Sequence, residues 1–268
     1  NQDFGISEYE ASEVLEGFRR KQDGYLSCSF ETISAFGSNG SVIHYKPEKD
    51  DCLRIDRSQL FLLDSGGQYM EGTTDVTRTM HFGIPTDYEK ECFTRVLKGK
   101  AAMERVIFPE GILGAQLDSL ARQYLWQVGR NYRHGTGHGV GAALCVHEGP
   151  QTIGPRVPTN PVGIFQNMVV SNEPGYYEDN RFGIRIECVQ IAVEAHSMPL
   201  NHQAGNSKYL TFENITLVPI SRNLIEPSLM TKDEIDWLNA YHSRVYKMLS
   251  PHLSAEDQVW LGRATLPL

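Results

Sequence analysis

The sequence predicts an α+β fold of two related halves, within one domain spanning residues 1–268. Three observations carry that expectation. Stretches with apolar residues three and four apart, the period of an amphipathic helix, alternate with short β-branched and aromatic runs bounded by Gly, Pro and Ser. A pair of strands with an acid in each occurs twice, as Asp64 with Asp75 and as Glu173 with Glu187, each pair preceded by helical sequence, which suggests an internal duplication. The length of 268 residues and a hydrophobic content of 40% suffice for a sizeable core.

The elements follow in order. Ser7 and Glu10 form a capping box, and Ala11, Val14, Leu15 and Phe18 recur at helical spacing, so a first helix is expected to about Lys21. The pieces TISAF (32–36) and SVIHY (41–45) suit a hairpin, with His44 near its end. QLFLLD (59–64) and TTDVTRTMHF (73–82) read as strands around a Gly-Gly turn; Asp75, Thr77 and Thr79 share one face by period two, a polar face expected to line something wet. Thr86 with Glu89 caps a second helix, and a third is expected over about 115–128 with Gly129 as its stop. HGTGHGVG (134–141) breaks all regularity, and 150–161 reads as a surface loop. NMVVSNEPGYY (167–177) and FGIRIECVQIAV (182–193) form the second strand pair, YLTFENITLVPI (209–220) adds another strand, and Thr231 with Glu234 opens a helical tail over about 231–268.

The formal charge of −8 argues against a nucleic-acid partner, since no dense Lys/Arg stripe offsets it. Five scattered cysteines with no CxxC pair read as reduced thiols, and no apolar run nears the ~20 residues of a membrane span. A cytoplasmic protein without a membrane partner is therefore expected. The start at Asn1 suggests a fragment or a processed product.

The four acids are the informative feature. Aspartate is depleted from strands because its side chain competes for the backbone, so acids flanked by apolar residues need an offsetting partner. Buried carboxylates require a cation or a proton, and a divalent metal answers that need. Imidazole is available from His134, His138 and His147, among glycines that let backbone and ligands approach closely. Carboxylate oxygens with an imidazole suit Mn, Co, Fe or Zn. The i, i+4 spacing of His134 and His138 does not make a zinc-protease helix, because no Glu follows the first His and glycines oppose the helix. Arg185 lies two residues before Glu187 on one strand face, where it could pair with a ligand carboxylate.

The blocks DSGGQYMEGTTDVTRTMHFG, HGTGHGVG, VHEGP, NEPGYY, GIRIE, LTFENITLVPI and DWLNAYH closely resemble those of Xaa-Pro aminopeptidases of the cytosolic eukaryotic type, within the pita-bread metallopeptidases. The resemblance spans nearly the whole chain. It implies the pita-bread fold, two pseudo-symmetric helix-and-strand halves around a curved sheet, and five residues holding two divalent ions, most often Mn2+. Asp64 would bind one ion, His138 and Glu173 the other, while Asp75 and Glu187 bridge both. It also places His44, His134 and His147 near the substrate, with His134 and His147 facing the proline-side carbonyl or the oxyanion. The implied partner is a peptide beginning Xaa-Pro, cleaved by a hydroxide that the two ions share. Family members carry one or two further domains ahead of this one, and a homodimer through the C-terminal helix is left open. The rival readings are a prolidase-type dipeptidase and, in another class, a catalytically silent peptide-binding module.

Overall fold

The computed structural model of the chain describes residues 5–143, 145–195 and 208–268. In chain order its elements are α1 (Glu8–Arg19), β1 (Tyr25–Cys28), β2 (Ile33–Phe36), β3 (Leu60–Ser65), β4 (Gly67–Tyr69), β5 (Gly72–Thr73) and β6 (Val76–His81). Next come α2 (Asp87–Arg105), β7 (Phe108–Pro109), α3 (Gly114–Trp126), β8 (Gly137–His138), β9 (Thr152–Ile153) and β10 (Val169–Asn172). Then follow β11 (Gly175–Glu178), β12 (Phe182–Arg185), β13 (Cys188–Glu194), β14 (Tyr209–Asn214), α4 (Lys232–Leu249) and α5 (Ala255–Ala264).

Capping chemistry starts the helices where the sequence placed them. Ser7, Thr86 and Thr231 each accept from the backbone of a glutamate three residues on, whose carboxylate accepts in return from the cap residue's N–H. Gly129 has φ +70°, the left-handed stop after α3 that a residue with a Cβ resists. In α1, however, the buried face is Glu8, Ser12 and Glu16, while Val14 and Phe18 are exposed. The cause is Glu8, whose carboxylate accepts from the Phe36 and Leu53 N–H groups, the Asn39 amide and the Tyr45 hydroxyl. A fully satisfied acid can turn a helix against its apolar stripe.

Two antiparallel sheets frame the molecule, in the orders β2-β3-β6 and β10-β13-β14-β7, with β11-β12 as a separate ladder. The expected hairpin of TISAF with SVIHY does not form. Residues Gly37–Ser41 make a 3-10 turn instead, and β2 pairs with β3, Ile33 opposite Asp64. Within the loop expected over 150–161, β9 pairs with β8, so the irregular HGTGHGVG is tied down at Gly137–His138. One core sits under α2 and α4, with Phe93, Leu97, Ile184, Ile186 and Leu238 inside; a second lies beneath α3 around Phe108, Leu117 and Leu210. At roughly 1.5–3 kcal/mol per buried large side chain, these clusters anchor the strands that carry the acids.

Candidate active site

All nine side chains singled out in the sequence line one cavity of about 440 Å³: Asp64, Asp75, Glu173, Glu187, His44, His134, His138, His147 and Arg185. They arrive by two routes. Asp64 stands inside β3, opposite Thr77 of β6, and Asp75 just precedes β6. Three of the four acids therefore do not lie within strands as expected: Asp75 falls between β5 and β6, and Glu173 and Glu187 occupy the gaps between β10 and β11 and between β12 and β13. Each gap is tolerated because its backbone N–H finds another carbonyl, Glu173 N–H at Thr136 (2.8 Å) and Glu187 N–H at Thr77 (3.1 Å).

The face of Thr77 and Thr79 is dry. Both are fully buried, Thr77 Oγ1 donating to Glu187 Oε2 (2.8 Å) and Thr79 Oγ1 to the Arg185 carbonyl (3.1 Å). Period-two alternation identified the face correctly, and the opposing half of the molecule, not water, satisfies its hydroxyls.

His138 is held from both sides. Its N–H donates to Ser171 Oγ (3.0 Å), whose hydroxyl in turn donates to Glu173 Oε1 (3.2 Å). Glycine is required beside it, since a Cβ on Gly137 would lie 2.0 Å from the Ser171 carbonyl oxygen. Nδ1 is 2.9 Å from the Gly139 carbonyl, which can only accept, so Nδ1 carries the proton. Nε2 then faces the acids, 3.4 Å from Asp75 Oδ2 and 3.3 Å from Glu173 Oε1. Ligand atoms of Asp75, His138 and Glu187 all fall within 4.8 Å of one another.

Among the described residues, Arg185 is the only cation aimed at the cluster from a strand. Its guanidinium donates to Asp64 Oδ2 (2.6 Å), the Tyr177 hydroxyl (2.6 Å) and Thr77 Oγ1 (3.2 Å). Tyr177 and Ser171 escaped the sequence reading, because a tyrosine or serine in a strand carries no distinguishing signal. A further support is Arg122, forked onto Asp118 of the same helix (2.6 and 3.1 Å) and donating to the Tyr132 and His134 carbonyls. The i, i+4 Asp-Arg pair in α3 was visible in the sequence, though its reach into the loop was not.

Electrostatically the cluster wants positive charge. Burial, with repulsion from its neighbours, raises Glu187 well above the ordinary carboxylate range and Glu173 to about 7. Burial raises Asp64 as well, against the pull of Arg185. At His138, burial is outweighed by the Asp75 hydrogen bond and the Glu173 charge, which lift it to about 9. Asp64 Oδ1 is buried without a partner among the described residues. Four acids against one arginine, an orphaned carboxylate oxygen, and an Nε2 that can give up its proton to a bound cation while Nδ1–H stays tied to a carbonyl together make a donor set that fits divalent ions.

His134 is different. Its Nδ1 lies 2.7 Å from the Gly135 carbonyl and its Nε2 2.9 Å from the Tyr177 hydroxyl. The first contact fixes the proton on Nδ1, so Nε2 accepts from Tyr177. Both nitrogens are committed within the protein. Burial and the Arg185 charge lower its pKa to about 3, which keeps the ring neutral. His147 packs edge-on against His138, ring centres 4.2 Å apart, and burial lowers its pKa too. No side-chain hydrogen bond holds the rings of His44 or His147 among the described residues.

Similarity to known proteins agrees with this geometry. Residues 3–193 match the model of metallopeptidase family M24, and residues 208–268 match the C-terminal region of that family. The chain is 50% identical over 264 residues to Arabidopsis thaliana Aminopeptidase P2, covering 98% of this chain and 37% of that protein. It is 51% identical over 266 residues to an Aspergillus fumigatus protein named probable Xaa-Pro aminopeptidase P, covering 98% and 40%. The chain thus spans about two fifths of the length of these relatives. Among solved structures, an X-prolyl aminopeptidase from Caenorhabditis elegans, described as a cytosolic enzyme with a di-nuclear active site, superposes with a TM-score of 0.91. That match has 41% identity and covers 98% of this chain and 42% of the other. A Bacillus anthracis Xaa-Pro dipeptidase gives 0.65 at 30% identity, over 81% and 54%. With both family models matched along nearly its whole length and the acid-lined cavity between its sheets, the chain belongs to metallopeptidase family M24 and has the pita-bread fold.

Proposed function

We propose that residues 1–268 form a single catalytic domain, with a helical tail from about 231, that removes the N-terminal residue from peptides with proline second. The observation that carries this reading is the convergence of four carboxylates and His138 Nε2 on one cavity. Asp64, Asp75, His138, Glu173 and Glu187 would hold two divalent ions, which when bound supply Lewis acidity to the scissile carbonyl and the attacking water. The oxygen-rich donor set with one imidazole favours manganese, and cobalt, zinc or iron are compatible with it. The description of the nematode relative as cytosolic, with five free cysteines here, supports a cytoplasmic setting.

The chain's own residues do the positioning. Arg185 keeps Asp64 oriented, and Thr77 fixes the Glu187 oxygen. Tyr177 joins Arg185 to His134, so His134 acts as a neutral brace of that network. His147 and His44 then remain as the imidazoles able to donate to a substrate carbonyl or to the oxyanion that develops on it.

Elemental analysis paired with hydrolysis of a tripeptide with proline second tests the assignment. Asp75→Ala is expected to lose bound metal and turnover while keeping the fold; an Asp75→Ala protein that cleaves at the parental rate would sink it.

A further inference from the structure

Strands β3 and β6 have a second face. Register pairs Leu63 with Arg78 and Ser65 with Val76, and these side chains alternate with Asp64 and Thr77, so they point away from the acids. There they floor a groove of about 430 Å³, nearly the size of the acid-lined cavity. Leu15 of α1, Ile220 and Trp260 of α5 complete its apolar wall.

Its charge is unlike the rest of the molecule. Arg19, Arg78, Arg222 and Arg263 line it, and among the described residues no carboxylate does, in a chain of net charge −8. None of the four forms an ion pair among the described residues, whereas eight other arginines each reach a carboxylate. Three of the four are partly engaged. Arg78 spends its N–H groups on the carbonyls of Thr77, Glu187, Val218 and Pro219 and on Tyr241; Arg19 uses one nitrogen on Ser65, and Arg222 one on the Pro267 carbonyl. Among the described residues Arg263 keeps its whole fork, beside Trp260, which is 61% exposed.

We propose that this groove is a second binding site, taking a small molecule with one carboxylate on an apolar body. A planar guanidinium with both donors available matches a single carboxylate bidentately, while the other three arginines add positive charge that no ion pair neutralises among the described residues. The floor residues Leu63 and Met80, the wall residues Leu15 and Ile220 and the exposed indole accept the apolar body, as the apolar lining of small-molecule sites does. The site is separate from the acid cluster, since the sheet lies between them.

Calorimetric titration with octanoate and with the uncharged octanamide tests this. Octanoate is expected to bind one site at least ~10-fold more tightly than octanamide, as a charge-assisted hydrogen bond predicts. Arg263→Gln should erase that preference and Trp260→Ala should weaken both ligands, with peptide turnover unchanged in either variant. Octanoate binding must also survive Asp75→Ala, which separates the groove from the acid-lined cavity and from any failure of the peptidase assignment. Equal binding of the two probes, a preference that persists in Arg263→Gln, or loss of octanoate binding in Asp75→Ala would each overturn the proposal.

Discussion

The two acid-bearing strand pairs present their carboxylates by different means. In the first, β3 and β6 pair without interruption from Leu60 opposite His81 to Ser65 opposite Val76, so that Asp64 projects from an intact ladder and Asp75 directly precedes it. In the second, pairing splits into β10 with β13 and β11 with β12, and the acids sit in the gaps. An intact ladder satisfies its own backbone, so the first pair is locally complete. The second borrows: the N–H groups of Glu187 and Glu173 donate to Thr77 of the first pair and to Thr136 of the His-Gly loop. Similar sequence patterns thus yield one self-sufficient support and one that depends on long-range partners.

That contrast can be broken experimentally, beginning with the largest effect. Glu187→Gln removes charge where the two halves meet, and should lower metal affinity by more than the roughly 100-fold that loss of a supporting residue costs, while Asp64→Asn is expected to be milder. Metal titration of the two variants checks this, and equal losses would mean that the gap confers no special dependence.

Arg185→Lys comes next. A lysine cannot reach Asp64, Tyr177 and Thr77 together, so metal affinity should fall by about 10- to 100-fold with the melting temperature little changed. A large loss of stability with normal affinity would recast Arg185 as part of the core.

A pH effect tests the far side of the second pair. His242 of α4 accepts from the Ile220 N–H (3.1 Å), which holds the segment touching Arg78, and Arg78 donates to the Glu187 carbonyl (2.5 Å). Burial and the charges of Arg222 and Arg78 lower the His242 pKa from 6.5 to about 4. A histidine depressed in the fold takes up its proton more readily when unfolded, so its contribution is whole above pH 6.5 and is lost as pH falls towards 4. The loss should be on the order of 2 kcal/mol, and His242→Gln should flatten the stability profile across that window. An unchanged profile in the variant would assign acid sensitivity elsewhere.

Thr77→Val leaves Glu187 Oε2 without its donor at nearly constant shape and should cost about 1–2 kcal/mol, visible as weaker metal binding. The smallest effect is expected at Pro174, which follows Glu173 and has no N–H to give a ladder. Pro174→Ala should change stability by no more than ~1 kcal/mol, because long-range partners rather than the proline hold the gap. A marked drop in metal binding there would reverse that view.

Several of these features were legible before any coordinates. Ser7, Thr86 and Thr231 announced their helices because capping is a contact within four residues, and Asp64, Asp75, Glu173 and Glu187 announced themselves because acids among apolar neighbours require an explanation, whereas only the family resemblance chose His138 from the three candidate histidines. The inward turn of α1 was not legible, since Glu8 is satisfied by groups at Phe36, Asn39, Tyr45 and Leu53. SVIHY lost its expected strand for a related reason: β2 found a better partner in β3, a choice made by burial and not by propensity.

What the sequence determined by itself was chemical: which residue types could bind cations, and where helices begin, because both follow from side chains and their near neighbours. What the tertiary structure alone decided was the division of labour. That the acids of the second pair fall in backbone gaps, that Tyr177 takes the Nε2 of His134, and that four arginines share a groove behind the acids all depend on groups tens of residues apart. Hydrogen bonds and fields act through space, and only the folded chain sets those distances.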